Sequence, residues 1–235
     1  MQSELKRYVQ VLAALYLLLI CPLSVVKGQW DRRTVQTTAE TDANAGGELP
    51  KRIALTFDDG PDGRYTPELL DGLKKRNVRA TFFVIGENIE AGDNRAILKR
   101  MHEEGHEIGN HTYTHADLGS LSDEKAKEEI EKTGKLIREV TGEEPELLRP
   151  PYGRLSGTLE NELPALCVRW TIDPLDWKTD NAEEIVRKVV GEAEEDDIIL
   201  LHDCYQSSVD AALRIVDLLA EEGYEFVTAD ELLLE

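Results

Sequence analysis

The sequence predicts an α/β fold, a distorted (β/α) barrel of about seven parallel strands, TIM-barrel-like. Three observations predict it. From Arg52 onward, short apolar runs alternate with amphipathic stretches, the βαβαβα order of a parallel sheet. Five clusters of chemistry-bearing polar residues follow the ends of five different runs, and the runs themselves are apolar. In a β/α barrel the C-terminal strand ends converge on one mouth, whereas in an open sheet they spread along a crevice. Five clusters serving one site therefore favour the barrel.

The strands are expected at 53–57 (IALTF), 80–86 (ATFFVIG), 106–110 (HEIGN), 146–149 (ELLR), 168–173 (VRWTID), 198–202 (IILLH) and 225–228 (EFVT). Between most of them lie helical patterns with recognisable ends. Thr66-Pro67 reads as an N-cap followed by a proline in the first helical position. The stretch 94–105 closes on Gly105, and 122–142 opens on Ser122 with acids in its first turn. Asn181 heads an Asn-led capping box, and 208–223 supplies the last long helix.

The N-terminus is of another kind. Lys6 and Arg7 precede an uncharged apolar run, the pattern of a signal peptide or signal anchor over residues 1–28. The run is long enough for an uncleaved anchor as well as for a cleaved leader. Residues 29–50 lack apolar periodicity and read as a flexible linker, leaving 51–235 as the folded domain. The protein is expected outside the cytoplasm, secreted or membrane-anchored, with the membrane touched only through that N-terminal run.

The net charge of −20 in 235 residues argues against nucleic acid or an anionic membrane surface as partner. Three cysteines do not make a disulfide framework. Cys21 belongs to the leader, and Cys167 and Cys204 read as unpaired thiols.

The first cluster places Asp58 and Asp59 side by side before Gly60-Pro61. A solvated turn needs only one such acid, and two suggest a metal ligand beside a base. His111 and His115, four apart in NHTYTH, would share one face of a helical turn and, with a carboxylate, could hold a divalent ion. An isolated H-x-x-x-H is weak evidence, but the chain has only five histidines and this pair follows a strand end. In LRPPYG, Arg149 can pair with a carboxylate, and two prolines stiffen a turn able to aim the Tyr152 N–H at an anion. DPLDW offers two acids and an indole, and LLHD ends a fully apolar run on His202. Each cluster alone has a bland structural reading; the ordered set does not.

The series TFDDGP, HTYTH, RPPYG, DPLDW and LLHD resembles, in order, the five motifs of the polysaccharide deacetylases, carbohydrate esterase family 4 or the NodB-homology domain. The resemblance covers about residues 51–235. It implies a distorted barrel, one divalent metal ion (zinc, with cobalt or manganese as alternatives) and removal of acetyl groups from a carbohydrate polymer. By resemblance, Asp58 is the catalytic base, and Asp59, His111 and His115 are the metal ligands. Arg149 orients the base, and the Tyr152 backbone N–H is the oxyanion donor. His202 is the catalytic acid and Asp173 the carboxylate that tunes it. Trp177 and Leu200 are implied to line the acetyl pocket, and Cys204 lies outside the pattern.

The expected function is metal-dependent removal of N-acetyl groups from a GlcNAc-containing polysaccharide such as peptidoglycan, chitin or an exopolysaccharide. O-deacetylation of acetylated xylan is the alternative, and a non-catalytic carbohydrate-binding module on the same scaffold is a third reading. A monomer is expected.

Overall fold

The computed structural model describes residues 50–234, and the leader and most of the linker lie outside the described residues. Among the described residues no helix is long and apolar enough to cross a membrane.

Seven strands form one sheet in which every pairing is parallel: β1 (Lys51–Asp58), β2 (Thr81–Val84), β3 (Glu107–Asn110), β4 (Leu147–Leu148), β5 (Leu166–Cys167), β6 (Ile198–His202) and β7 (Tyr224–Val227). The order is β5-β4-β3-β2-β1-β6, with β7 also paired to β1. Helices flank the curved sheet: α1 (Tyr65–Arg76), α2 (Gly86–Glu90), α3 (Asn94–Glu103), α4 (Asp123–Thr141), α5 (Gly157–Glu162), α6 (Ala182–Glu192), α7 (Gln206–Glu221) and α8 (Ala229–Leu234). The result is a parallel half-barrel.

β1 is the central strand, and the sequence explains why. Ile53, Ala54, Leu55 and Phe57 are all buried, as befits a parallel strand covered on both faces. Ile53, Leu55 and Phe57 join Leu69, Leu73, Ile199, Val209 and Ile215 in the main core, where each large apolar side chain contributes about 1.5–3 kcal/mol by leaving water. The amphipathic α4 buries Ala126, Ile130, Thr133, Leu136 and Ile137 on one stripe. Ser122 caps its start, and Gly142 ends it in the left-handed region at φ 87°.

Two local expectations give way. α1 begins at Tyr65, and its entry is held by Asp62, whose Oδ1 accepts from the N–H groups of Arg64 and Tyr65 at 2.8 Å each. Thr66 is therefore not the cap; its hydroxyl accepts from Asp62 N and donates to Asp203. The strand expected at 168–173 is also absent. β5 ends at Cys167, and the chain crosses to β6, where Ile172 makes a single bridge to Ile199. Between those points the carbonyls of Val168 and Arg169 accept from the Arg149 guanidinium, each at 3.3 Å. A side chain takes bonds that a neighbouring strand would otherwise make, so the sheet edge ends at β5.

Candidate metal and catalytic site

Strand register assembles the site. Asp58 closes β1 and pairs with His202, which closes β6. His111 follows β3, its N–H bonded to Val84 O, and Arg149 follows β4, its N–H bonded to Asn110 O. Four sequence clusters thus meet at one end of the sheet.

The turn after Asp58 is tightly wired. Asp59 adopts φ 73°, a conformation unfavourable for a residue with a Cβ, and its carboxylate, like that of Asp58, comes within 3.6 Å of His111 Nε2. The next three carbonyls are each captured: Asp59 O by the Asn88 amide at 2.7 Å, Gly60 O by Ile85 N–H at 2.9 Å, and Pro61 O by the Asn94 amide at 2.8 Å.

The HTYTH segment is a loop rather than the helical turn its spacing suggested, with Thr112 at φ 67° and His115 at φ 56°. Glu129 on α4 holds it by accepting from the N–H groups of Tyr113 and Thr114 at 3.0 and 2.8 Å. Within the loop, Asn110 Oδ1 accepts from Thr112 N at 2.8 Å. The two imidazoles nevertheless converge, with ring centroids 5.0 Å apart.

Asp59, His111 and His115 form a candidate metal centre, each offering one ligand atom within 4.8 Å of the others. Asp59 Oδ1 stands 3.5 Å from His111 Nε2 and 3.4 Å from His115 Nε2, and it is buried without a hydrogen-bond partner. Donors held about 2.1 Å from a common ion at tetrahedral angles stand about 3.4 Å apart, so the spacing fits a divalent ion. The tautomer fits too. His111 Nδ1 donates to Arg149 O at 2.6 Å, which leaves the Nε2 lone pair facing Asp59. Burial holds the His111 pKa below its ordinary value against the pull of Asp58 and Asp59, keeping the imidazole neutral as a ligand must be.

Asp58 is distinct from that set. Its Oδ1 accepts from Arg149 Nη1 at 2.8 Å, while Oδ2 lies 3.6 Å from His111 Nε2. Burial would raise its pKa, but Arg149, aided by His111 and His202, holds it below the ordinary carboxylate value. Arg149 is fully buried and also donates to Thr56 Oγ1 at 2.8 Å; its guanidinium lies 4.1 Å from the centre of the Phe83 ring.

On the opposite side, His202 Nδ1 donates to Asp176 Oδ1 at 2.8 Å. Asp176 Oδ2 accepts from the His202 backbone N–H at 2.8 Å and from Ser208 Oγ at 2.5 Å. The carboxylate on His202 is therefore Asp176, and the assignment of that role to Asp173 is corrected. Asp173 Oδ1 instead accepts from Leu175 N at 2.9 Å, shaping a turn in which Leu175 has φ 58°. That turn presents the second acid of DPLDW, not the first, to His202. Burial alone would lower the His202 pKa, but Asp176, with Asp58 and Asp59, raises it to about 9.

Tyr152 has φ 58°, and its exposed ring lies 5.0 Å from that of His115. Trp177 is half exposed beside Asp176. Leu200 is buried in β6, two residues before His202 and so on the same strand face one layer deeper. Cys167 and Cys204 are both free thiols. Burial raises both pKa values, Cys167 to about 11, which disfavours the thiolate. An open cavity of about 510 Å³ borders Asp59 and is lined also by Asp62, Asn88, Asn94 and Cys204. A larger one, about 1200 Å³, lies away from this chemistry near Glu107, Ile130 and Leu166.

Sequence reasoning missed Thr56, which accepts from Arg149, and Asn88 and Glu129, which hold the backbone of Asp59 and of the HTYTH loop. Thr56 looks like an ordinary strand residue, yet its hydroxyl donates to Ile199 O at 2.6 Å and accepts from Arg149.

A half-barrel with a candidate carboxylate–imidazole metal centre, flanked by a buried acid and a carboxylate-backed histidine, fits the class of metal-dependent hydrolases. The profile of the family described as "Polysaccharide deacetylase" matches residues 45–169. The chain belongs to the polysaccharide deacetylase family. It is 41% identical over 182 residues to the peptidoglycan-N-acetylglucosamine deacetylase PgdA of Listeria monocytogenes, covering 77% of this chain and 39% of that protein. The chain thus spans about two fifths of that relative's length. Among solved structures, the peptidoglycan deacetylase PdaC of Bacillus subtilis is similar with a TM-score of 0.75 and 41% identity, covering 78% of this chain and 90% of that one. A family 4 acetyl xylan esterase of Clostridium thermocellum, in complex with a cobalt ion, is similar with a TM-score of 0.73 and 37% identity, covering 78% and 91%.

Proposed function

We propose that this protein is a hydrolase that removes N-acetyl groups from the GlcNAc-containing glycan of peptidoglycan. The observation that carries the reading is the pairing of opposite protonation states across one site. Arg149 keeps Asp58 ionised, while Asp176 keeps His202 protonated, its pKa raised to about 9. Amide hydrolysis needs both: a base to take a proton from water and an acid to give one to the departing nitrogen.

Asp59, His111 and His115 would hold the divalent ion, with zinc the first candidate for a carboxylate and two imidazoles. When bound, such an ion lowers the pKa of a coordinated water and polarises a carbonyl. The protein's own groups do the rest. Asp58 accepts the proton of the attacking water, and Arg149 fixes the carboxylate that takes it. The Tyr152 N–H, in the turn after β4, would donate to the developing oxyanion. His202 donates its proton to the leaving nitrogen while Asp176 stabilises the imidazolium.

The peptidoglycan deacetylases among the relatives support an N-acetyl substrate over acetylated xylan. A non-catalytic sugar-binding role is disfavoured because the residues read as base, metal donors and acid, Asp58, Asp59, His111, His115 and His202, are all present. The N-terminal basic and apolar run supports export, and a monomer completes the reading.

The test is acetate release by the full-length protein from peptidoglycan glycan strands, chitooligosaccharides and acetylated xylan, before and after chelation. Metal-dependent release, greatest from peptidoglycan, is expected. Release from xylan alone, or full activity in verified metal-free protein, overturns the reading. Export is tested by fractionating cells that express the full chain against one starting at residue 29; cytoplasmic retention of both forms overturns it.

A further inference from the structure

The last residue of LLHD has no part in the chemistry above, yet it is among the most completely buried polar groups described. Asp203 is 0% exposed. Its Oδ2 accepts from Thr66 Oγ1 at 2.5 Å, and its Oδ1 has no hydrogen-bond partner. Among the described residues no cation is paired with it, although an unneutralised buried carboxyl is costly. Burial raises its pKa to about 7 against the opposing effect of the Thr66 hydroxyl.

The carboxyl fills the space beside Gly60. A Cβ built on Gly60 would stand 2.5 Å from both Asp203 oxygens, so glycine there is a consequence of the close approach. The Gly60 backbone itself lies outside the left-handed region, and its φ gives no other reason for glycine. Gly60 is the residue after Asp59. On the other side, the carbonyls of Asp59, Gly60 and Pro61 are held by Asn88, Ile85 and Asn94. The turn is thus clamped between those three donors and the Asp203 carboxyl, which Thr66 in turn anchors to α1.

We propose that Asp203 is a positioning residue: its carboxyl, fixed by Thr66, sets the Asp59–Gly60 turn at the height where Asp59 meets His111 and His115. This rests on the reading of those three residues as a metal centre. It explains why the carboxyl sits directly after His202. One strand end then carries the acid and also the buttress for the turn that holds the base and the metal ligand.

The test measures Zn²⁺ affinity by competition with a chelator, and the visible spectrum of the Co²⁺-substituted protein, on full-length protein well below its Tm. Wild type must bind one ion; if it binds none, the metal-centre reading fails and not this one. Asp203→Ala is expected to weaken Zn²⁺ binding roughly 10- to 100-fold, the range for residues that hold a metal ligand in place, and to alter the Co²⁺ spectrum. It should lower kcat without raising KM. Asp203→Asn keeps the shape and an acceptor for Thr66, and should stay within a few-fold of wild type. Gly60→Ala should weaken the metal as Asp203→Ala does, because the added methyl displaces the turn. The double variant Gly60→Ala/Asp203→Ala should bind more tightly than Gly60→Ala alone, since the smaller side chain makes room. A lowered Tm with unchanged metal affinity and spectrum in the Asp203→Ala and Gly60→Ala variants overturns the proposal. So does an Asp203→Asn protein as impaired as Asp203→Ala, or a double variant no better than Gly60→Ala.

Discussion

Asp58 and His202 are register partners, the last residues of two adjacent parallel strands. Each lies in the field of the other: His202 helps lower the Asp58 pKa, and Asp58 helps raise that of His202. The two are nonetheless supported from opposite sides, Asp58 by Arg149 and His202 by Asp176. The proposed base and acid are therefore each held toward the ionised form by a partner of their own, Arg149 and Asp176.

This arrangement separates metal binding from proton transfer. Asp58→Asn should keep the metal, because Asp59, His111 and His115 remain. General-base contributions run to roughly 10²–10⁴-fold, so turnover should fall by that order. Asp59→Asn should lose metal first. His202→Ala should keep the metal and lose rate on the amide, but lose less on an activated ester whose leaving group needs no proton. Metal content and kcat measured together on the three variants check this. Loss of metal from Asp58→Asn with retention by Asp59→Asn would reverse the two roles.

On the proposed mechanism, Asp176 should set the alkaline limit of activity. His202, raised to about 9, should lose its proton and the rate should fall as pH climbs through that value. Asp176→Asn removes the main group raising the His202 pKa, so the alkaline limb of kcat should move to lower pH. Asp173→Asn should leave the limb in place, since Asp173 caps a turn and does not touch His202. Stability follows the same sign. A raised histidine pKa stabilises the fold fully below the unfolded value of 6.5 and loses that contribution as pH rises through about 9. The Tm deficit of Asp176→Asn should thus be larger at pH 6.5 than at pH 10. A pH profile unchanged from wild type would remove Asp176 from the acid's support.

Much of this was legible because the strands are apolar and the chemistry sits at their ends. Alternation of apolar runs and amphipathic helices pointed to the parallel sheet, and the five clusters pointed to the candidate site at one end of it. What escaped depended on contacts distant in sequence. Nothing in DPLDW says which acid faces His202; a left-handed Leu175 decides it. Nothing in VRWTID says that the Arg149 guanidinium will take two of its carbonyls in place of a strand. The histidine spacing implied a helical turn, whereas a loop pinned by Glu129 brings the two imidazoles together.

Arg149 should matter to the fold as well as to the rate. It is fully buried and donates to Asp58, Thr56, Val168 and Arg169, bridging β1 to the crossing between β5 and β6. Removing one member of a buried ion pair costs about 3–5 kcal/mol, because the other charge is left alone. Arg149→Met should therefore lower Tm sharply and push the Asp58 pKa up, moving the acidic limb of activity to higher pH. Arg149→Lys keeps the charge but cannot fork across four acceptors, and should recover only part of the stability. Urea unfolding and the pH–rate profile of both variants give the check; an Arg149→Met protein as stable as wild type would contradict the bridging role.

Trp177 and Leu200 share one inferred role but occupy different environments, and substitution should separate them. Leu200 is 4% exposed and carries a β6 backbone bond to Ile172, while Trp177 is 50% exposed at the mouth. Leu200→Ala should cost roughly 2–5 kcal/mol, as for a buried leucine. Leu200→Met, which conserves volume, should cost under about 1.5 kcal/mol. Trp177→Ala should leave Tm within a degree or two. If the indole contacts substrate, it should raise KM on glycan strands and leave activity on a small aryl acetate unchanged. Urea unfolding of the three variants, with kcat and KM on both substrates, decides the matter. A stable Leu200→Ala protein with raised KM would return Leu200 to the pocket. A Trp177→Ala protein with unchanged KM on glycan would remove the indole from it.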